Sequence, residues 1–453
     1  MVAETLDAPV VAQLGSWGRT HRTRSACWRP VSEGALFAAM QADHRGGLIA
    51  RGCGRSYGDA CLNDAGDVID MRGLTEVTHF DADTGDIECG AGLTIHDLLR
   101  RFLPLGFAPP MCPGTGFVTL GGLIANDVHG KNHHRVGSAG DIVTGFDLIM
   151  PSGEAVQVSR ASHPELFAAT IGGIGLTGVI SRVRMRLRRT PSNAMRVEGH
   201  RVRGLDEFMD ALSAAEASHE HSVGWIDTLA RGRSLGRGIL ELGDPAPEPV
   251  QRRGPPTLRM PFDLPGWVLN RQSVGAFNAL YYRRVPRRGR TRNVRVERFL
   301  FPLDSLRGWN RMYGRRGVYQ FQCVVPHSEA RRALHRLMDT ATASGAASFL
   351  AVIKTLSRHG HGLLSFPMPG FTLAMDFPRR PDSTRLIHEL HDIVIAHGGR
   401  VYLAKDALLT PERFRAMYPR AAEFLSFVRR IDPRSTMRSD MARRLGLVPG
   451  ADT

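Results

Sequence analysis

The sequence predicts an α+β protein of two domains, in which a unit built around glycine-rich loops is followed by an antiparallel sheet backed by helices. Three observations lead there. The chain has 453 residues, more than one compact core serves. Up to about residue 190 it carries three glycine-rich loops among short alternating strands and helices. Beyond residue 290 the apolar periodicity reads strand, strand, helix, strand, strand, helix, the layout of an antiparallel sheet with helices on one face.

Composition bounds the class. Hydrophobic residues make up 42% and charged residues 23% of the chain, the balance of a soluble globular protein. No apolar run approaches the roughly 20 residues of a membrane helix, and the opening MVAETLDAPVVAQLGS lacks the basic-then-apolar layout of a secretory signal. The cysteines Cys27, Cys53, Cys61, Cys89, Cys112 and Cys323 form no CxxC pair and mostly crowd into the first quarter, which favours free thiols over a disulfide framework. The expectation is a cytoplasmic protein whose contact with a membrane, at its inner face, is peripheral. The net charge of +15 fits anionic partners such as phosphorylated substrates or anionic lipid, and equally an arginine-rich composition with no specific partner. No nucleic-acid module is recognisable, so nucleic acid is not an expected partner.

In chain order, residues 1–31 read as an arginine-rich lead-in draped over the first domain. Ser32 to Gln41 reads as a helix with Ser32 as N-cap. Gly47 to Ala50 reads as a strand feeding RGCGRSYGDACLND, where Gly52, Gly54 and Gly58 alternate with Arg51, Arg55, Ser56 and Tyr57. Such a loop presents successive backbone N–H groups to an anion, a diphosphate being the natural guest; a tight turn without ligand is the alternative. Neither a Walker A loop nor a Rossmann fingerprint fits, since Asn132 follows Gly130-Lys131 and Tyr57 takes the third glycine's place. Strands follow at Val68–Met71, Glu76–Phe80 and Asp86–Ala91, then a helix at Ile95–Phe102 capped by Thr94.

The stretch from Pro113 to His134, PGTGFVTLGGLIANDVHGKNHH, runs from apolar to sharply polar. It reads as a buried wall ending at a ligand, or else as a glycine-rich turn with a satisfied polar cluster. Strands at Ile142–Met150 and Ala155–Val158 flank a Pro-Ser-Gly turn, and Pro164–Thr170 is a short helix. A third glycine loop, IGGIGLTG at 171–178, enters a strand at Val179–Leu187 where apolar residues alternate with arginine (Arg182, Arg184, Arg186, Arg188), marking one wet cationic face. Three such loops suit a large, extended cofactor.

Farther on, Leu205–Ala215 reads as a helix and Val223–Leu229 as a strand bearing Trp225. Residues 243–292 are rich in Pro, Gly and Arg with weak periodicity and read as a mobile segment. Eight arginines fall between Arg283 and Arg298, as a patch for phosphate or lipid, or as a solvated loop. Strands are expected at Arg295–Phe301, Val318–Val325, Ala347–Thr355 and Phe371–Phe377, with helices at Ser328–Thr342 and Ser383–Ala396. Gln320 and Gln322 share one sheet face, and with Lys354 they either line a hydroxyl-rich pocket or face solvent. RVYLAKDA at 400–407 reads as a short strand carrying Tyr402 and Lys405, followed by helices at Glu412–Met417, Ala421–Arg429 and Ser439–Leu445.

His129 and His133 are four apart, but Gly130 opposes a helix and no HExxH glutamate is present, so no metal site is expected. A G-x-S-x-G elbow is absent. A redox cofactor remains, because a polypeptide has no good hydride acceptor.

RGCGRSYGD, PGTGFVTLGGLIANDVHGKNHH, IGGIGLTG, SFPMPGF, YLAKDA and DMARRL together resemble the decaprenylphosphoryl-β-D-ribose 2-oxidase family, from about Trp17 to Leu445. The resemblance implies a vanillyl-alcohol-oxidase-type (PCMH-type) FAD-binding fold with an FAD-binding domain at 8–196, a substrate domain at 197–398 and a C-terminal segment, 399–453, returning to the first domain. It carries FAD-binding positions onto Ala50, Arg51, Gly52, Cys53, Gly54, Arg55, Ser56, Tyr57, Gly58, Asp59 and Ala60. These continue at Gly114, Thr119, Leu120, Gly121, Gly122, Asn126, Asp127, Val128, His129, Ile180 and Tyr402. Substrate positions fall on Tyr57, Lys131, Trp225, Gln320, Gln322, Lys354 and Lys405.

The implied reaction oxidises the 2′-hydroxyl of a polyprenyl-phosphoryl ribose to a 2′-keto sugar, and a short-chain reductase partner then completes an epimerisation to the arabinose donor of the cell wall. Lys405, Tyr57 and His129 are the expected catalytic residues: Lys405 and Tyr57 handle the hydroxyl and its proton, and His129 contacts the flavin. Arg55 stands where many relatives of the broader fold have a flavin-linked histidine, so the FAD is expected to be non-covalent. Ala374 stands where the mycobacterial members have a cysteine, and Leu300 and Leu356 replace bulkier residues. The alternative is a paralogue oxidising a soluble sugar, polyol or nucleoside.

Overall fold

The computed structural model describes residues 8–251, 257–346 and 348–449. Ala347, expected to open a strand, residues 252–256 of the proline-rich segment, and the ends of the chain lie outside the described residues.

The first unit holds two sheets. One runs in the order Val10–Gly15, Arg22–Trp28, Asp67–Asp70, Leu48–Arg51, the first pair antiparallel and the others parallel. Its first two strands come from the arginine-rich lead-in, which is therefore woven into the domain and not draped over it. Thr23, Ser25 and Cys27 point inward and alternate with exposed Arg22 and Arg24. That is a strand's period of two, hidden from a hydrophobicity reading because the inward residues are small and polar.

The other sheet is antiparallel, in the order Val77–Phe80, Asp86–Gly90, Val179–Arg186, Val143–Ile149, Ala155–Val158. Its arginine face is ion-paired throughout. Arg182 bridges Glu33 and Glu88, Arg184 bridges Glu88 and Asp147, and Arg186 holds Asp86. The expected helix starts are in place: the Ser32 side chain accepts from Ala35 N on Glu33–Met40, and Thr94 and Asp97 form a reciprocal capping box on Ile95–Phe102. Each such cap contributes about 1 kcal/mol.

The second unit is an eight-stranded antiparallel sheet in the order Arg290–Arg295, Ala194–Val202, Gly238–Ala246, His221–Ile226, Ala351–Leu356, Gly370–Pro378, Val318–Pro326, Arg400–Val401. Helices Leu205–Ser218, Ala330–Ala343 and Ser383–Ala396 pack on one face. There Phe208, Leu334, Leu337 and Leu390 bury against Phe321, Cys323, Ile353, Leu373 and Met375, each large side chain contributing roughly 1.5–3 kcal/mol. The intervening residues, Gln320, Gln322, Lys354, Thr372 and Ala374, face the other way into a cavity.

Three expectations about elements are corrected. Arg295–Phe301 is not a strand: the strand is Arg290–Arg295, and Val296–Leu300 is a short helix. Val296, Phe299 and Leu300 are the buried residues, a helical i, i+3, i+4 set, and with them the chain closes over the core of the antiparallel sheet of the first unit. The strand after residue 399 is only Arg400–Val401; Tyr402 and Lys405 lie on the turn that follows, where Lys405 N–H donates to Tyr402 O at 2.9 Å. Within 243–292, where no regular element is legible in the sequence, the helix Arg271–Arg283 stands, capped by Asn270.

Candidate active site

A cavity of about 410 Å³ lies between the glycine loops of the first unit and the open face of the second sheet. The first loop supplies Ala50, Gly52, Cys53, Gly54, Arg55, Ser56, Tyr57 and Ala60 to its wall. The second supplies Gly114, Thr119, Gly121, Gly122, Asn126, Val128, His129 and Lys131, and Ile180 stands behind them. The sheet supplies Trp225, Gln320, Gln322 and Lys354, and the C-terminal turn supplies Tyr402 and Lys405.

Five expected cofactor positions do not reach the cavity and act as scaffold. Arg51 donates to Gly15 O and Cys61 O. Leu120 is core. Asp127 is fully buried and accepts from Gly140 N at 2.9 Å and Ser365 Oγ at 2.6 Å. Gly58 packs so closely that a Cβ there would sit 1.9 Å from Asp406 O. Asp59 pairs with Arg444 at 2.7 Å, and Arg444 pairs with Asp406 at 2.9 Å. This clasp ties the first loop to the C-terminal turn.

The cavity's chemistry is dominated by amines. The chain has only three lysines, Lys131, Lys354 and Lys405, and all three line the cavity. Burial pushes Lys131 and Lys405 down to about 8, and Lys354, which also faces the other two, to about 7. Lys354 Nζ donates to Gly130 O at 3.4 Å, and Lys131 Nζ to Phe299 O. Asp376, buried in the strand behind, accepts from Tyr313 Oη at 3.0 Å and Gln320 Nε2 at 2.5 Å. Burial pushes its carboxyl up to about 6, and it in turn supports the charge on Lys405. Burial and Asp376 hold the Tyr57 phenol well above 10, so it stays protonated.

His129 is neutral, because burial and the charges of Lys354, His133 and Lys405 hold it well below 6.5. Gln322 Nε2 stands 3.2 Å from His129 Nε2. The amide donates there, which leaves the proton on Nδ1, and that atom is buried without a partner among the described residues. Arg55 lies between Trp17 and Phe117, 4.1 and 4.9 Å from their ring centroids, with its Nε likewise unpartnered.

These features fit FAD. Arg55 Nε, Asn126 Oδ1 and His129 Nδ1 are three buried polar atoms on the wall of one cavity that lack partners among the described residues, a state too costly to leave unfilled. A Cβ at Gly114 would project into open space there, whereas one at Gly52 would strike Thr119 Oγ1 at 2.1 Å, so the backbone itself forms the cradle. The positive φ of Gly54, 61°, supplies the bend.

Sequence reasoning missed several wall residues. Asp304 accepts from Thr115 Oγ1 and Gly116 N, both at 2.7 Å, opposite Arg55; nothing in the sequence marks it. Glu241 comes from the strand Gly238–Ala246, and Tyr281 and Arg284 come from the 243–292 segment. Thr170 ends the helix before the third glycine loop, and Ile174, Gly175 and Gly178 come from that loop, whose signal was visible although its residues were not singled out. Of the replaced positions, Leu300 and Ala374 line the cavity; Leu356 is buried in a cluster with Phe366 and Tyr402.

The class follows from this: residues 25–159 match the family model of an FAD binding domain, and the fold is the two-domain PCMH-type FAD-binding fold of an FAD-dependent oxidoreductase. The chain is 36% identical to the decaprenylphosphoryl-β-D-ribose oxidase of Mycolicibacterium smegmatis over 96% of its own length and 98% of the relative's, and it belongs to that family. It is also 34% identical, over 78% of its length and all of the relative's, to an uncharacterised protein in the mprA 5′ region of Streptomyces coelicolor. A more distant match is cytokinin dehydrogenase 2 of Arabidopsis thaliana, 30% identical over 32% of this chain and 29% of that one.

Proposed function

We propose that the protein oxidises the 2′-hydroxyl of a polyprenyl-phosphoryl-β-D-ribose to the 2′-ketone, using non-covalent FAD. The observation that carries this is the placement of every lysine in the chain on one buried cavity, beside two amides and a histidine whose Nδ1 has no partner among the described residues. The name of the mycobacterial relative supplies the substrate.

Bound FAD supplies the hydride acceptor that side chains lack. The glycine loops and Tyr402, whose Oη donates to Asn126 O at 3.0 Å, hold it, with His129 Nδ1–H and Arg55 offering donors. Lys405 takes the proton from the 2′-oxygen as the carbon gives up its hydride. A lysine serves as base only when neutral, which its depressed pKa allows near pH 8. Tyr57, protonated, holds the same oxygen. Lys131, Lys354, Gln320 and Gln322 hold sugar and phosphate oxygens, and Trp225 covers the sugar and excludes water. Residues 8–196 serve the cofactor, 197–398 the substrate, and 399–453 return Lys405 to the first unit. Arg55 offers no nucleophile to the flavin, which supports non-covalent binding. The ketone product calls for a reductase partner.

The test is turnover of a short-chain prenyl-phosphoryl ribose with an artificial electron acceptor. A product two mass units lighter, and a primary isotope effect from deuterium at C2′, are expected. Turnover of free ribose or a polyol with no preference for the lipid-linked sugar would replace this substrate with a soluble one.

A further inference from the structure

Five of the nine large hydrophobic side chains exposed among the described residues fall in one short stretch: Leu258, Phe262, Trp267, Phe277 and Leu280. Trp267 is 75% and Leu280 73% exposed. The helix Arg271–Arg283 carries Phe277 and Leu280, and Trp267 sits at its start, where Asn270 Nδ2 donates to Trp267 O at 3.0 Å. This helix departs from an ordinary surface helix, which keeps its apolar residues on the buried side: only Val274 and Asn278 are buried. Its buried side includes Asn278, whose Nδ2 donates to Asp227 Oδ1 at 2.8 Å, whereas Phe277 and Leu280 stand in solvent on the turn-to-turn row that runs from Ser273 to Arg284.

Charge frames this face. Between residues 257 and 298 there are ten arginines against two carboxylates, Asp263 and Glu297. Asp263 is held by Arg19 and Arg311, and Glu297 by Arg295. Arg271, Arg283, Arg287, Arg288, Arg290 and Arg298 are exposed and have no carboxylate partner among the described residues.

The helix also borders the cavity. Tyr281 and Arg284 line it, the Tyr281 ring lies 4.6 Å from Trp225, and Phe277 stacks on Tyr281 at 5.5 Å. An aromatic path thus runs from the cavity wall to the exposed apolar face.

We propose that this face docks on an anionic lipid bilayer, with Trp267, Phe277 and Leu280 entering the boundary between headgroups and acyl chains and the unpaired arginines holding headgroup phosphates. The cavity then opens toward the lipid. A second copy of the chain is the poorer occupant, because a two-fold contact would set the arginine rims against each other. The docking takes its purpose from the lipid-linked substrate proposed above, but its physics is independent of turnover.

The test floats the FAD-loaded protein with vesicles of phosphatidylcholine, with and without phosphatidylglycerol, and follows tryptophan emission. Flotation is expected on the anionic vesicles only and is expected to fall with salt. A blue shift that Trp267→Phe removes is expected with it. The triple variant Trp267→Ser/Phe277→Ser/Leu280→Ser is expected to keep its flavin and to bind at least about tenfold more weakly, and Arg287→Glu/Arg288→Glu to do the same with the apolar face intact. Failure of the wild type to float on anionic vesicles, equal flotation of either variant, or a dimer that the triple variant splits into monomers would overturn the proposal. A protein that floats but does not oxidise prenyl-phosphoryl ribose removes the substrate assignment and leaves this surface standing.

Discussion

The Lys405 amine lies 4.4 Å from the centroid of the Tyr57 ring, and the two residues are held in that relation by the Tyr57 N–H, which donates to Ala404 O at 3.0 Å. The Arg444 clasp on Asp59 and Asp406 locks the same two segments from behind. Lys405 and Tyr57 are thus positioned by backbone, although nearly 350 residues separate them in sequence.

Replacing Lys405 by Met removes the proposed proton acceptor while keeping its bulk. The flavin should stay bound and turnover should fall by about 10²–10⁴-fold. Wild-type kcat should rise with pH through about 8, since Lys405 acting as the base must lose its proton and burial brings its pKa to about 8. Stopped-flow flavin reduction across pH 6.5–9.5 measures both.

Asp376 supports the charge on Lys405 from behind Gln320. Asp376→Asn should therefore lower the pKa of Lys405 and move the rising limb of the pH profile to lower pH. A profile shifted upward or left unmoved would remove Asp376 from this role.

A Cβ at residue 58 would meet Asp406 O at 1.9 Å. Gly58→Ala should push the first loop off the C-terminal turn, part Tyr57 from Lys405 and lower the melting temperature, at a cost of roughly 1–3 kcal/mol. Thermal melts and turnover of the purified variant check it.

The lysines also set a stability trend. Their folded pKa values, about 7 to 8, lie below the ordinary 10.5, so the neutral form is favoured on folding. Their contribution is full above pH 10.5 and is lost as pH falls toward 7. Flavin-free protein should gain stability from pH 7 to 9.5, and Lys354→Met should flatten that slope. Calorimetry of the two proteins across this range decides it.

Arg55 fills the position from which a histidine links to flavin in other members of the broad fold. Acid precipitation should leave the yellow colour in the supernatant; colour in the pellet would require a covalent link.

Much of this was legible in the chain. The glycine loops, the helix caps at Ser32 and Thr94 and the paired Gln320 and Gln322 are local signals, and they stand where sequence placed them. What stayed hidden has physical reasons. The strand Arg22–Trp28 points Thr, Ser and Cys inward and so lacks an apolar signature. Val296–Leu300 is too short for its helical spacing to outweigh the preceding strand. The helix Arg271–Arg283 buries Val274 and Asn278 but turns Phe277 and Leu280 outward, so its apolar residues do not line one face. Asp304 reaches the cavity by a tertiary contact that no spacing encodes, and the grip of Gly58 on Asp406 likewise exists only once the chain ends meet.

The most direct measurement is the visible spectrum of the purified yellow protein under anaerobic conditions as a short-chain prenyl-phosphoryl ribose is added. The flavin band should bleach in proportion to added substrate, and equal concentrations of free ribose should leave it unchanged. A band that persists with the lipid-linked sugar, or a protein that takes up no FAD at all, would contradict the account.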